Sequence, residues 1–420
     1  MGFATSWLDE RALFPELIKD APDSETGIIV VVPAFNEPDI AILLGSLASC
    51  TKPQCKVEII IVVNARPVAD KEAILNNSRC IKNIESWKKE NKECFFRLFV
   101  FDAGQPLING WGVGLARKTG MDEALRRFNA IEKPGGVIVC LDADCTVEKN
   151  YFISIEENLL NKKERTACSI YFEHPLKGAD FMEDIHKYVI LYELHLRYFI
   201  RGLKYSGFPY AFHTVGSALA VKAFQYVKAG GMNRRQAGED FYFVQKLVQL
   251  GGYFALNNTT VYPSPRESLR VPFGTGAAIS RLMNNSGETF LTYDFGAFRE
   301  LRSLFATAGN LFQSNNRETG EYYRELPEGL RSFIDEKEWP SKIAEIRGNT
   351  SGYGSFMKRF FGWFNMFRIV KYLNHVHTGI FRRQPVPDSA CDLLLSEGHK
   401  IDLRDSLDLL IYYRSTDKRT

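Results

Sequence analysis

An α/β fold built on a mainly parallel sheet is what this 420-residue sequence predicts, from three observations. Four runs too apolar to face water, centred on residues 28–32, 57–63, 95–101 and 137–141, read as strands covered on both faces. The stretches between them carry helical spacing or open on glycine. The alternation strand–helix–strand repeats without a break, which implies parallel neighbours joined by right-handed crossovers.

The first strand, "GIIVVVPAFNE" (27–37), is expected to break at Pro33. Ile40, Leu43, Leu44 and Leu47 give the next segment a helical apolar face. "KVEIIIVVNA" forms a second strand ending at Asn64, and a charged helix over 71–93 leads into a third strand ending near Asp102. "GVGLARKTGMDEALRRF" reads as a helix opened by glycines, and "GGVIVCLDAD" closes this half. Beyond it, Phe181, Ile185, Tyr188, Tyr192 and Phe199 mark one long helix. A short strand and helix over 214–232 follow, then a helix with acids in its first turn at "GEDFYFVQKLVQLGG". The expected division is an N-terminal arm (1–26), a catalytic-type domain (27–265) and a mostly helical C-terminal region (266–420).

Composition narrows the class. The chain is 45% hydrophobic and 25% charged, as ordinary globular proteins are. A net charge of +3 without a Lys/Arg block gives no footprint for nucleic acid. No apolar run reaches the length of a spanning helix, and the acidic, polar N-terminus is unlike a signal peptide, although its Met-Gly-x-x-x-Ser matches the myristoylation template. The eight cysteines are scattered and form no C-x-x-C pair, which points to a reducing, cytoplasmic setting.

The chemistry concentrates where strands end. "VIVCLDADCTVEKNY" carries a buried-type strand into Asp142-Ala143-Asp144. Ligands of open α/β sheets bind outside the carboxyl ends of strands, and two acids there repel unless a cation lies between them. A divalent cation with diphosphate oxygens would serve; a helix-capping role for Asp144 is the alternative.

Pro33-Ala-Phe-Asn-Glu37 after the first strand, Asp-x-Asp at 142–144 and Glu239-Asp240 at a helix start resemble, in that order, the family-two-like glycosyltransferases of the A-type (GT-A) fold. Each motif alone occurs by chance; three in order on predicted strand ends and a helix start are specific. The resemblance covers roughly residues 27–262. It implies a Rossmann-like, mixed but mainly parallel sheet flanked by helices, and a metal-dependent transfer of a sugar from a nucleotide-sugar donor to an acceptor hydroxyl.

By that resemblance, Pro33, Ala34, Phe35 and Glu37 would wrap the nucleotide. Asp142 and Ala143 would lie against its ribose or metal shell, and Asp144 would ligate Mg²⁺ or Mn²⁺. Arg117, beside Lys118, would approach the donor, with a helix-surface position as the other reading. Gly216 and Ser217 would face the acceptor. Asp240, next to Glu239, would take the acceptor's proton in an inverting mechanism, or else both are acids that suit a helix start. The sequence departs from the family at Asn64, where many members carry an aspartate that reads the base. Asn64 offers a donor and an acceptor, so the base stays open; Asp102 could substitute for the missing aspartate or simply cap a turn.

His375 and His377 are candidate metal ligands of a retaining mechanism, or side chains with a core or surface role. "YGSFMKRFFGWFNMFRIVKYL" (353–373) mixes basic and aromatic residues. Its aromatics fall on all sides, which predicts burial; peripheral contact with the inner face of a membrane is the alternative. A nucleotidyltransferase and a non-catalytic nucleotide-sugar-binding relative are the other functional readings.

Overall fold

The computed structural model describes residues 2–65, 71–103, 112–176, 183–235, 238–266, 276–277, 279–280, 290–400, 403 and 405–419. Within them, strands β1 (Thr26–Ala34), β2 (Lys56–Val63), β3 (Phe96–Asp102) and β4 (Val137–Cys140) alternate with helices α2 (Ile40–Ala48), α3 (Lys71–Glu90) and α4 (Val113–Ala130), after a short N-terminal α1 (Thr5–Arg11). Four further strands join the same sheet: β5 (Thr146–Val147), β6 (Ala167–Phe172), β7 (Leu219–Lys222) and β8 (Tyr253–Tyr262), with the short helices α5 (Tyr151–Ile155) and α7 (Ala223–Lys228) following β5 and β7. The order is β3-β2-β1-β4-β7-β6-β8-β5. The pairings β3·β2, β2·β1, β1·β4 and β6·β8 are parallel, whereas β4·β7, β7·β6 and β8·β5 are antiparallel. The sheet is therefore mixed and mainly parallel, as expected. β1 is buried at every position, which is why its sequence runs apolar rather than alternating.

Pro33 lies inside β1, opposite Val62, and does not break it. Val31 C=O accepts from Leu141 N–H, and Ala34 C=O accepts from Asn64 N–H. Alternate residues of β1 thus turn to β4 and to β2, and Pro33 turns to the β4 side. Pairing with β4 ends at Val31↔Cys140, so no ladder bond needs the N–H that proline lacks.

The chain divides into two compact units. One comprises Met1–His186, Thr214–Arg281 and Asp417–Thr420; the other comprises Lys187–His213 and Leu282–Thr416. The first holds the sheet and α1–α4. The N-terminal arm runs along α4: Ala4 N–H donates to Asn129 Oδ1 (2.7 Å), and Leu17 and Ile18 N–H donate to the Glu123 carboxylate (3.2 and 3.1 Å). Arm on one side and sheet on the other bury α4 almost all round, its charged residues included.

Helix α6 (Glu183–Tyr205) takes the chain into the second unit, whose further helices pack on an aromatic interior. Phe356, Phe360, Phe361 and Phe364 are buried there, the last two against Phe305, while Lys358, Arg359 and Lys371 are exposed. The basic aromatic segment is thus two packed helices, Tyr353–Trp363 and Met366–Val376, as its all-round aromatics suggested. No helix of the described residues is long and apolar enough to cross a membrane.

Candidate active site

The strand ends place the motifs. Ala34 pairs with Val63 and Val63 with Asp102, so the ends of β1, β2 and β3 lie side by side, with exposed Asp102 at the edge. β7 runs against β4 with Leu219 opposite Cys140. That antiparallel pairing brings the approach to β7, which contains Gly216 and Ser217, alongside the exit of β4, which contains Asp142–Asp144. Buried Ser217 hydrogen-bonds the Cys145 thiol across this seam.

Helix α4 delivers Arg117 to the same place. The guanidinium is 3% exposed. Its Nη2 donates to Asp142 Oδ1 at 2.5 Å, and its Nη1 donates to Glu239 Oε1. Burial pulls this guanidinium down, and the carboxylates of Asp142 and Glu239 more than reverse the effect, so it stays protonated. A Cβ on Gly216 would lie 2.4 Å from Arg117 Nη1, so only glycine lets the chain pass here. The helix-surface reading of Arg117 and Lys118 fails, because both are buried: Arg117 against Asp142, Glu239 and Gly216, and Lys118 over the Trp7 ring of the arm. Lys118 donates to Asp122 (2.8 Å), which also accepts from Tyr226 Oη (2.7 Å).

Helix α8 (Glu239–Gln249) opens after Gly238, whose φ of 71° reverses the chain into the helix. Burial raises the Glu239 carboxyl to about 7; Arg117 opposes the rise and Asp240 adds to it. Asp240 is half-buried and its carboxyl is also raised, by burial first, against the pull of Arg117 and of hydrogen bonds from the N–H groups of Phe241 and Gly216. A carboxylate held at a helix start with a raised pKa is suited to accept a proton.

A second cation lies on the other acid. Arg266, just beyond β8, donates from Nε to Asp144 Oδ2 at 3.0 Å and from Nη2 to Glu37 Oε1. Glu37 is buried and Asp144 is partly exposed. Sequence reasoning passed over Arg266, although its Ser-Pro-Arg setting at a strand end was visible. The fit to a divalent ion can be judged from this arrangement. Asp144 already faces a cationic group, the guanidinium standing where positive charge is needed. One or two carboxylates completed by diphosphate oxygens is a usual seat for Mg²⁺ or Mn²⁺. No group of three His, Cys, Asp or Glu able to hold a metal occurs among the described residues. The donor set fits an ion that arrives with a diphosphate.

Phe35 is half-buried, and Ala143 and Asn64 are buried. The histidines belong to the second unit. His377 Nδ1 donates to Leu373 C=O (2.6 Å), and its Nε2 accepts from Asp294 N–H (2.8 Å). Both ring nitrogens are engaged there, and burial lowers its pKa. His375 Nε2 lies 3.1 Å from Ser332 Oγ.

Residues 137–294 match the family model described as "Glycosyl transferase family group 2", a span that takes in Asp142, Asp144, Gly216, Asp240 and Arg266. That stretch resembles a glycosyltransferase domain of family group 2. No curated protein matches the chain. Three solved structures show slighter likeness. S. aureus TarS 1–349 in complex with UDP-GlcNAc is 13% identical over 80% of this chain and 92% of its own, with a TM-score of 0.40. Mannosyltransferase PcManGT from Pyrobaculum calidifontis, in complex with GDP-Man and Mn²⁺, is 13% identical over 99% and 93%, with a TM-score of 0.38. Glucosyl-3-phosphoglycerate synthase from Mycobacterium tuberculosis, in complex with phosphoglyceric acid, is 14% identical over 55% and 70%, with a TM-score of 0.32. At such values the assignment of this transferase rests on the family model and on its own motifs.

Proposed function

We propose that this glycosyltransferase moves a sugar from a nucleoside-diphosphate donor to an acceptor hydroxyl with inversion, Asp240 serving as base. The observation that carries this reading is the Arg117 guanidinium, which joins Asp142 at the tip of β4 to Glu239 at the start of α8. One buried cation thereby ties the donor-side acid to the pair that includes the proton acceptor.

In this reading Pro33, Ala34, Phe35, Glu37, Asn64, Asp142 and Ala143 frame the nucleotide, and Gly216 and Ser217 border the acceptor. Asp240 takes the acceptor's proton as its oxygen bonds to the anomeric carbon. The bond from that carbon to the donor phosphate breaks, and the nucleoside diphosphate leaves with the electron pair. Asp144, with Asp142 nearby, would hold Mn²⁺ or Mg²⁺, which supplies Lewis-acid stabilisation of the diphosphate. Arg117 keeps Asp142 and Glu239 from repelling each other. The engagement of both His377 nitrogens within the second unit gives the retaining alternative no support.

The first test is a thermal-shift screen of UDP-, GDP-, dTDP- and CDP-sugars with Mn²⁺. One base class should raise the melting temperature through ligand linkage, and no shift with any would overturn the reading. The second is Asp240→Asn, which keeps shape and removes basicity. Donor binding should survive while turnover falls roughly 10²–10⁴-fold, with an inverted anomer from the parent enzyme. A product that keeps the donor's configuration would remove Asp240 from the role of base.

A further inference from the structure

Asn36 has a φ of 55°, in the left-handed region that side chains enter at a cost. Such outliers cost on the order of 1–3 kcal/mol and persist only where their surroundings over-determine them. Helix α3 supplies that constraint. Asn36 N–H donates to Asn77 Oδ1 at 2.9 Å, and Asn36 Oδ1 accepts from Asn76 Nδ2 at 2.7 Å. The other end of the same Asn77 amide, Nδ2, donates to Asn64 C=O at 2.8 Å.

One carboxamide therefore joins the turn after β1 to the residue after β2. Asn64 N–H is engaged by Ala34 C=O at 2.9 Å, so both main-chain groups of Asn64 are in use. Its side-chain amide is what Asn64 has left to offer a ligand, as a donor and as an acceptor. Without the bridge, the turn would relax from its strained φ, and the separation between Phe35 and Asn64 would be set only when a ligand bound. Ordering a loop at that moment weakens binding, and a loop ordered beforehand avoids the loss.

We infer that Asn77, assisted by Asn76, is a positioning residue of the nucleoside end of the site, fixing the Phe35–Glu37 turn and Asn64 relative to each other before the donor arrives. This rests on the nucleotide assignment made under Proposed function. Neither asparagine touches the reacting atoms; both act through Asn36 and Asn64.

The experiment is calorimetry on the whole chain with Mn²⁺ and two probes: the tightest binder among UDP, GDP, dTDP and CDP, and inorganic pyrophosphate. Asn77→Ala should weaken the nucleoside diphosphate about tenfold, the scale of one or two lost hydrogen bonds. Pyrophosphate affinity should stay unchanged, and KM for the donor should rise more than kcat falls. Asn36→Gly, which adopts the same φ without strain, should bind within a few-fold of the parent. Asn36→Val, β-branched and excluded from that region, should lose as much as Asn77→Ala. If Asn77→Ala does not fold, the Asn36 pair carries the test. Asn77→Ala with parental nucleotide affinity, or an equal loss for both probes, would overturn the positioning role alone. A parent protein that binds none of the four diphosphates would overturn the donor reading and this inference with it.

Discussion

Arg117 Nη2 lies 2.5 Å from Asp142 Oδ1, in a guanidinium that is 3% exposed and also bonded to Glu239. A residue expected to reach for a ligand is thus the internal tie of the site. Arg117→Met would leave Glu239 buried without its cation, and breaking a buried pair from one side costs about 3–5 kcal/mol. Urea unfolding should register a loss of that order. Arg117→Lys keeps the charge but not the two-pronged geometry, and should fall between parent and Met variant. A loss under 1 kcal/mol for the Met variant would contradict the tie.

Protonation of Glu239 gives stability a pH dependence of known sign. Its carboxyl is raised from 4.5 to about 7, mainly by burial, so the folded chain holds this proton more tightly than the unfolded chain. The contribution is fully present below pH 4.5 and is lost as pH rises through about 7. Glu239→Gln should remove that slope between those values. Melting temperatures of parent and variant, followed from pH 4 to 8, measure it; parallel curves would count against the assignment.

Gly216→Ala tests the packing around the same guanidinium. The new Cβ would fall 2.4 Å from Arg117 Nη1, too close to be accommodated without movement. Overpacking of this kind costs about 1–3 kcal/mol. Because displacement of Arg117 also moves Asp142 and Glu239, turnover should fall more than stability alone explains. Steady-state kinetics well below the melting temperature separate the two; unaltered kcat and KM would show that the site absorbs the methyl group.

Metal dependence is tested through Asp144. Asp144→Ala should abolish Mn²⁺-dependent nucleotide binding in calorimetry while circular dichroism shows the fold intact. It also removes one of two acceptors of Arg266, so the double variant Asp144→Ala/Arg266→Ala separates the lost carboxylate from a released cation. Metal-dependent binding that persists in Asp144→Ala would reassign the ion.

The parallel half of the sheet was legible because strands buried on both faces must be continuously apolar, as 28–32 and 57–63 are. β6 (ACSIYF) and β8 (YFALNNTTVY) escaped notice because serine, threonine and asparagine interrupt their apolar runs. The three acidic motifs were legible from their place at strand ends and a helix start. What covers α4 was not: its buried Arg117, Lys118, Asp122, Glu123 and Arg127 look like a solvent face, and partners distant in sequence reverse that, among them the arm, Glu58, Tyr226 and Glu239. The same holds for Asn76 and Asn77, where the partners of a helical amide depend on loops some 13 to 41 residues away.

The two compact units are interleaved along the chain, and this governs how the polypeptide can be made or cut. Residues 187–213 leave the ribosome before the 68 residues 214–281, which belong to the other unit, and well before their own partners from 282 onward. Until then Tyr198 of α6, fully buried in the folded chain, lacks Phe298, which it meets edge to face, and Tyr293, whose C=O accepts from its hydroxyl. Asp417 C=O accepts from Asn257 Nδ2 at 2.8 Å, a bond between segments of the first unit that lie 160 residues apart in the chain. No single pair of proteolytic cuts releases either unit whole. During synthesis each unit therefore starts before the segment of the other that interrupts it, and neither is complete until residues far downstream have been made.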